Sequence, residues 1–327
     1  MAETVSISEM AAKISREIFD ELRWEMLPAT DTNWACVNQS HQKTTHPSDV
    51  VFTYLEPYRN LRTYLNCDLK SYARQTISRG AIATAIRNLA LSISCADVSE
   101  EWQRLYKNHR ENFQIVGLLF IYNHDGEFDK DFKSFLHQAL TDEMDLDANK
   151  KIIVLGPQDI CFLSTIVTDV KVLRGDEKIG KKGDCSFYFP DLISRKLIGA
   201  TDALAATVEM ITSPIIVFRY RMPGSAVESG LKIYYRRSGG SIEEFIYLFD
   251  YLFHFQIIEN DSIREVEFRL PYPDKHAPAL FEAAKTEYAI RFQNDTGFAK
   301  RFGKVRYSSV TKVVNQYSEI EIGMRYE

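Results

Sequence analysis

The chain has 327 residues, 45% of them hydrophobic and 26% charged, a composition that suits about two soluble domains with real cores. There is no apolar run of about 18 residues, so no transmembrane helix is expected. The acidic, amphipathic N-terminus also lacks the apolar block of a signal peptide, which makes a cytoplasmic protein the default expectation. The net charge of −5 excludes a bulk basic field for nucleic acid. From Asp191 onward 18 Lys and Arg balance 18 Asp and Glu, so the whole acidic excess lies before that point. Contact with nucleic acid must then come from local patches or from partner subunits.

In chain order, residues 7–27 read as a helix, because Met10, Ile14, Ile18, Leu22 and Met26 recur every fourth position and Pro28 marks a stop. Strands are expected at 34–39, at "DVVFTYLEP" and at "LRTYLNCDLKSYA", the last running into a helix over 71–95. The turn "EPYRN" separates the second strand from the third. A charged helix near 99–112 precedes "QIVGLLFIYN", whose unbroken apolar run suits a strand buried on both faces. A helix near 128–141 and the strand "KKIIVLG" follow, while "DICFLSTIVTDVKVL" suits either a helix or a strand. The Gly- and Lys-rich run 175–186 reads as a loop and a domain boundary, giving domains 1–185 and 186–327. Beyond it, the order β-β-α-β-α-β suggests a smaller α+β domain with ferredoxin-like topology. No internal repeat is visible. The five cysteines are odd in number and form no Cys-x-x-Cys pair, so they read as reduced, buried thiols.

One triplet has chemical meaning. Asp68 and Lys70 are two apart in a strand and so share a face. Three other Asp-x-Lys triplets occur, at 131–133, 169–171 and 176–178, but only Asp68 lies between a strand and a long helix with a second strand entering from its own aspartate, Asp49. If those strands form a hairpin, Asp49 approaches Asp68. Two carboxylates and the Leu69 carbonyl would then offer hard oxygen ligands to Mg²⁺, with the Lys70 ammonium beside them.

The order acidic helix, "HPSDVVF", "NCDLKSY" resembles the PD-(D/E)xK nuclease superfamily. The resemblance covers about residues 7–170 and rests on Asp49 as the first acid and Asp68 and Lys70 as the Asp-x-Lys. It implies an α/β fold, a restriction-endonuclease-like mixed sheet flanked by helices. It also implies a Mg²⁺- or Mn²⁺-dependent endonuclease that hydrolyses DNA phosphodiesters, in a setting of prokaryotic restriction or anti-phage defence. The family's helical acid is assigned to Glu21, with Glu17 and Glu25 as the other choices on the same helical stripe. Arg74, in the helix expected after the motif, is a candidate phosphate contact. The alternative is a catalytically silent nuclease fold that binds nucleic acid or assembles with a partner protein.

Other candidates stand outside that motif. His41 and His46 bracket "QKTT", and His46 adjoins the site as a metal or substrate contact. The segment 298–312 interleaves Lys300, Arg301, Lys304 and Arg306 with Phe298, Phe302 and Tyr307, a pattern that suits phosphates and stacked bases. The stripe "FIYLFDYLFHF" is aromatic enough for a core or for a homo-oligomer or partner contact. Asp159 with Asp169-x-Lys171 is a rival acidic site. No nucleotide-binding P-loop and no esterase elbow is present.

Overall fold

The computed structural model describes residues 2–57, 61–107, 112–140, 150–188, 202–292 and 295–313. It divides into two compact units, Met1–Ser164 and Thr165–Val313. The division falls inside a helix and not in the Gly- and Lys-rich run 175–186.

The first unit opens with α1 (Ala2–Glu21). Met10, Ile14 and Ile18 of its fourfold stripe are buried against the sheet. α1 ends well before Pro28, because Arg23 takes a positive φ of 63°. The chain then turns into β1 (Glu25–Met26), so Glu25 is not helical. β2 (Thr32–Ala35) and β3 (Thr45–Ser48) form a separate antiparallel hairpin. β4 (Val50–Leu55) and β5 (Leu61–Tyr72) pair antiparallel, with Val50 opposite Cys67. α2 (Arg79–Ala96) and α3 (Glu100–Tyr106) lead to β6 (Asn112–Asn123), which runs parallel to β5. α4 (Phe132–Ala139) then returns the chain to β7 (Lys151–Leu155), parallel to β6. The sheet order is β1-β4-β5-β6-β7. β6 is thus an inner strand, and its residues from Ile115 to Asn123 are all buried, as an unbroken apolar run requires. α2 lays Ile82, Ile86, Leu89 and Ile93 on this sheet. Its approach is close at Gly117, where an added Cβ would lie 3.0 Å from Leu89.

α5 (Pro157–Gly175) is a helix, and with it the ambiguous run "DICFLSTIVTDVKVL" is settled. The second unit continues with β8 (Cys185–Tyr188), β9 (Asp202–Ala203) and α6 (Val208–Thr212). β10 (Ile215–Arg221) and β11 (Ser229–Tyr235) form an antiparallel pair. α7 (Ile242–His254) crosses to β12 (Ile263–Leu270), parallel to β11. α8 (Ala277–Ile290) and α9 (Thr296–Phe302) cross to β13 (Val305–Ser309), parallel to β12. The aromatic stripe of α7 is mainly core: Phe245, Leu248, Phe249 and Leu252 are buried, and Tyr247 and Phe253 remain outside.

The parallel ladders β11–β12–β13 rule out the ferredoxin-like topology, whose sheet is antiparallel. They show a repeat instead. β8-β10-β11-β12-β13 is connected as β1-β4-β5-β6-β7: two antiparallel ladders, then two parallel ones, with helices at the same crossovers. β9 is an addition at the outer edge.

Candidate active site

The antiparallel register of β4 and β5 ends at Val50 and Cys67. The next residue on each strand is Asp49 and Asp68, and the Asp49 N–H still reaches the Cys67 carbonyl at 3.3 Å. Beyond that point β4 no longer supplies ladder partners. The Leu69 N–H instead donates to Asp49 Oδ2 at 2.7 Å. Asp49 therefore grips the residue between Asp68 and Lys70. β5 meanwhile stays paired with β6 through Tyr72, so its other edge is rigid where β4 has stopped.

Period-two alternation puts Asp68, Lys70 and Tyr72 on one face of β5. They line a cleft of about 290 Å³ with Gly80, Ala81, Thr84, Ala85 and Asn88 of α2. The small side chains of that helical turn leave the space open. Lys70 Nζ lies 2.5 Å from Asp68 Oδ1.

The electrostatics of the two acids differ from those of a surface pair. Burial pushes the Asp49 carboxyl up to about 6, and the negative charge of Asp68 adds to this, opposed by the Leu69 N–H. Burial works against the Lys70 ammonium, but the charge and hydrogen bond of Asp68 outweigh it, so the Lys70 pKa rises above its ordinary value. Lys70 is thus a fixed cation at neutral pH. Burial also raises the Tyr72 phenol, which keeps its proton.

The other sequence candidates differ in exposure and in what they contact. Glu21 ends α1 and is 6% exposed, whereas Glu17 and Glu25 are solvent-exposed. Glu25 pairs with Arg62 at 3.7 Å. Arg74 is not helical. It lies in the turn between β5 and α2, its N–H bonded to Asp125 and its guanidinium 3.1 Å from Asp129. His46 is fully buried beside Trp34 and His41, so its ring cannot meet a nucleic acid.

The segment 298–312 separates into an inside and an outside. Phe298 and Phe302 are core residues, and Tyr307 packs on Phe245 and Phe281, so none of the three is free to stack a base. Arg301 pairs with Glu259 at 2.9 Å, and Lys304 donates to the carbonyls of Ile263 and Asn260. Lys300 and Arg306 remain exposed.

The rival triplets each have a structural use. Asp131 caps α4 through Lys133 N and Ser134 Oγ. Asp169, on α5, is held by Arg269 through both carboxylate oxygens at 2.7 Å and by the Tyr234 hydroxyl. Asp176 and Lys178 form an exposed pair at 3.0 Å. Asp159 accepts from the Gly156 N–H at the start of α5.

A mixed sheet flanked by helices, with Asp49 and Asp68-x-Lys70 at the parting ends of two strands, defines a nuclease-type domain. Residues 1–159 match a family model described as the GAPS4 protein PD-(D/E)XK nuclease domain, and this half of the chain belongs to the PD-(D/E)XK nuclease family. No curated protein matches the chain. Among the described residues no single helix is long and apolar enough to cross a membrane.

Proposed function

We propose that the protein is a divalent-metal-dependent endonuclease that hydrolyses DNA phosphodiester bonds, acting in prokaryotic defence against phage. The observation that carries this is the grip of Asp49 on the Leu69 N–H, between Asp68 and Lys70, the two charged residues that line the cleft. The family association with defence supports the setting.

The donor set suits a hard cation such as Mg²⁺ or Mn²⁺. Asp49 is a half-buried carboxyl opposed by a second carboxylate, and a bound cation relieves both the burial and the repulsion. In a strand, the N–H and C=O of one residue point to the same side. The Leu69 carbonyl therefore faces the side of Asp49, where β4 has ended. Asp49, Asp68 and the Leu69 carbonyl would hold the ion, which polarises the phosphodiester and acidifies a bound water. Lys70, fixed as a cation, is not the proton acceptor. Its N–H groups orient the attacking water and offset charge on the phosphoryl oxygens as the P–O ester bond breaks. Glu21, the acid of α1 withdrawn from solvent, is the helical member of the set. Of the sequence candidates for phosphate contact, Lys300 and Arg306 are exposed, and Arg74 is exposed with its guanidinium on Asp129.

The second unit fits the other function considered for this chain, a nuclease topology used for recognition or assembly. The counterpart of the Asp49 and Asp68 position carries no carboxylate. Ile215 of β10 faces Tyr235 of β11, and the next pair is Pro214 and Arg236, followed by Arg237 and Ser238.

Supercoiled plasmid incubated with Mg²⁺ or Mn²⁺ tests the reading, with an RNA of matching sequence as a second substrate. Asp68→Ala and Lys70→Ala should each lower cutting by roughly 100-fold or more. Glu21→Gln should lower it by roughly tenfold, and Glu17→Gln, on the exposed face, should not change it. Equal cutting by wild type, Asp68→Ala and Lys70→Ala would overturn the assignment.

A further inference from the structure

Four soft or borderline ligands converge in the first unit, and none of them lines the acidic cleft. Cys36 follows β2, His41 lies in the turn between β2 and β3, His46 is on β3, and Cys95 is near the end of α2. One atom from each of the four lies within 4.8 Å of the corresponding atom of every other. The individual edges are 3.6 Å between the two Sγ atoms, 3.7 Å and 3.2 Å from His41 Nδ1 to Cys36 Sγ and Cys95 Sγ, and 3.4 Å from His41 Nδ1 to His46 Nε2.

Those lengths have a chemical signature. Zn–S bonds of about 2.3 Å and Zn–N bonds of about 2.0–2.1 Å, set at tetrahedral angles, give edges of about 3.8 Å for S–S, 3.6 Å for S–N and 3.3 Å for N–N. The four edges given match those lengths within a few tenths of an ångström, and the other two, from His46 to the sulfurs, are within 4.8 Å. The donor set is also selective: thiolate and imidazole suit Zn²⁺, and the hard oxygen ligands that Mg²⁺ prefers are missing from the cluster. His46 and Cys95 are buried and Cys36 and His41 half-buried, so the cluster is dry on one side and reachable on the other. The Asn38 side chain lies 3.1 Å from His41 Nε2 and fixes that ring's orientation.

We propose that Cys36, His41, His46 and Cys95 bind one Zn²⁺ in a closed tetrahedral site. All four positions are protein ligands, so the ion has no place for a substrate water, and its role is structural. It ties the β2–β3 hairpin to α2. The hairpin runs directly into Asp49, and Trp34 and Ser48 continue the tie through Asn66 of β5 to Ser92 of α2. The zinc therefore braces the segment from which the first acid of the cleft projects. The site is independent of the nuclease reading, because none of its ligands is shared with Asp49, Asp68 or Lys70.

The test is metal content of the purified full-length protein by plasma mass spectrometry, followed by exchange with Co²⁺. The expected result is one zinc per chain and, with Co²⁺, the intense visible bands of a tetrahedral thiolate site. Cys36→Ser and His41→Ala, both at half-buried positions, should lose the metal while circular dichroism shows them folded. Asp49→Ala with Asp68→Ala should keep it. Removing zinc from wild type with a chelator should lower the melting temperature, which gives a readout that needs no variant to fold. Less than a tenth of an equivalent of zinc after growth in zinc-supplemented medium would sink the proposal. So would full zinc retention in Cys36→Ser, or a Cys36–Cys95 disulfide found by thiol counting in place of metal.

Discussion

The two units share a chain path but treat charge in opposite ways. In the second, every charged group buried in the β11–β13 face meets an opposite one. Lys232 pairs with Glu265 and, at 2.5 Å, with Glu267, and Glu267 pairs with Arg269 at 2.8 Å. Arg269 in turn holds Asp169 at 2.7 Å, and Ser308 donates to Glu267. Burial disfavours the Glu267 carboxylate, yet Lys232 and Ser308 hold its pKa below the ordinary value. In the first unit Asp49 sits near a second carboxylate, and burial drives its pKa the other way, to about 6. One topology thus carries a neutralised ionic core in one copy and a frustrated acid in the other. Frustration of this kind is expected where a ligand completes the site, and neutralisation where the charges only hold structure.

Breaking the neutralised network should give the largest effect. Arg269→Ala removes both bonds to Asp169 and one to Glu267, leaving the Asp169 carboxylate buried without its cation. A loss of about 3–5 kcal/mol is expected, measured by urea denaturation at neutral pH. A loss within experimental error would show that the network is solvated and that the contrast with the first unit is false.

The opposite sign is expected at Asp49. Its folded pKa is raised from 3.8 to about 6, so the native state holds this proton more tightly than the unfolded chain does. Stability from this group therefore falls as the pH rises from about 4 through 6, and the full penalty persists above that. Asp49→Asn keeps an acceptor for the Leu69 N–H and removes the charge. Without divalent metal, the variant should be more stable than wild type at pH 7.5, by at most about 3 kcal/mol, and the gap should fall to roughly half by pH 5 and close toward pH 4. Glu267 behaves conversely, because its contribution is lost only as the pH falls through its depressed pKa below 4.5. A pH-independent difference between wild type and Asp49→Asn would mean that Asp49 titrates normally.

These contrasts explain what could be read in advance. Asp68 and Lys70 were legible because strand alternation is local, and so was β6, because a strand covered on both faces must be apolar along its length. The helical acid was only partly legible: Pro28 looked like the end of α1, but the positive φ of Arg23 ends it earlier and moves Glu25 to a strand. The repeat was hidden because it lies in strand order and direction, which sequence similarity need not follow. Segment 298–312 misled because a short helix and a strand, each with a buried side, also alternate basic and aromatic residues. The Cys and His cluster left only the spacing Cys36-x₄-His41-x₄-His46 as a signal, since the fourth member arrives from α2.

The smallest expected effect sharpens the comparison most. If the second copy is silent, the residues at its strand ends can be changed without cost to cutting. Ser238 stands where Lys70 stands in the first copy, three residues past Tyr235 as Lys70 is three past Cys67. Ser238→Ala removes a hydroxyl near the N-terminus of α7, whose own cap is Ser241. The cap is untouched, so stability should stay within about 0.5 kcal/mol. Plasmid cutting should match wild type, in contrast to Lys70→Ala. A loss comparable with that of Lys70→Ala would instead give the second unit a chemical role, and the arginines Arg236 and Arg237 beside Ser238 would then be the first groups to test for phosphate contact.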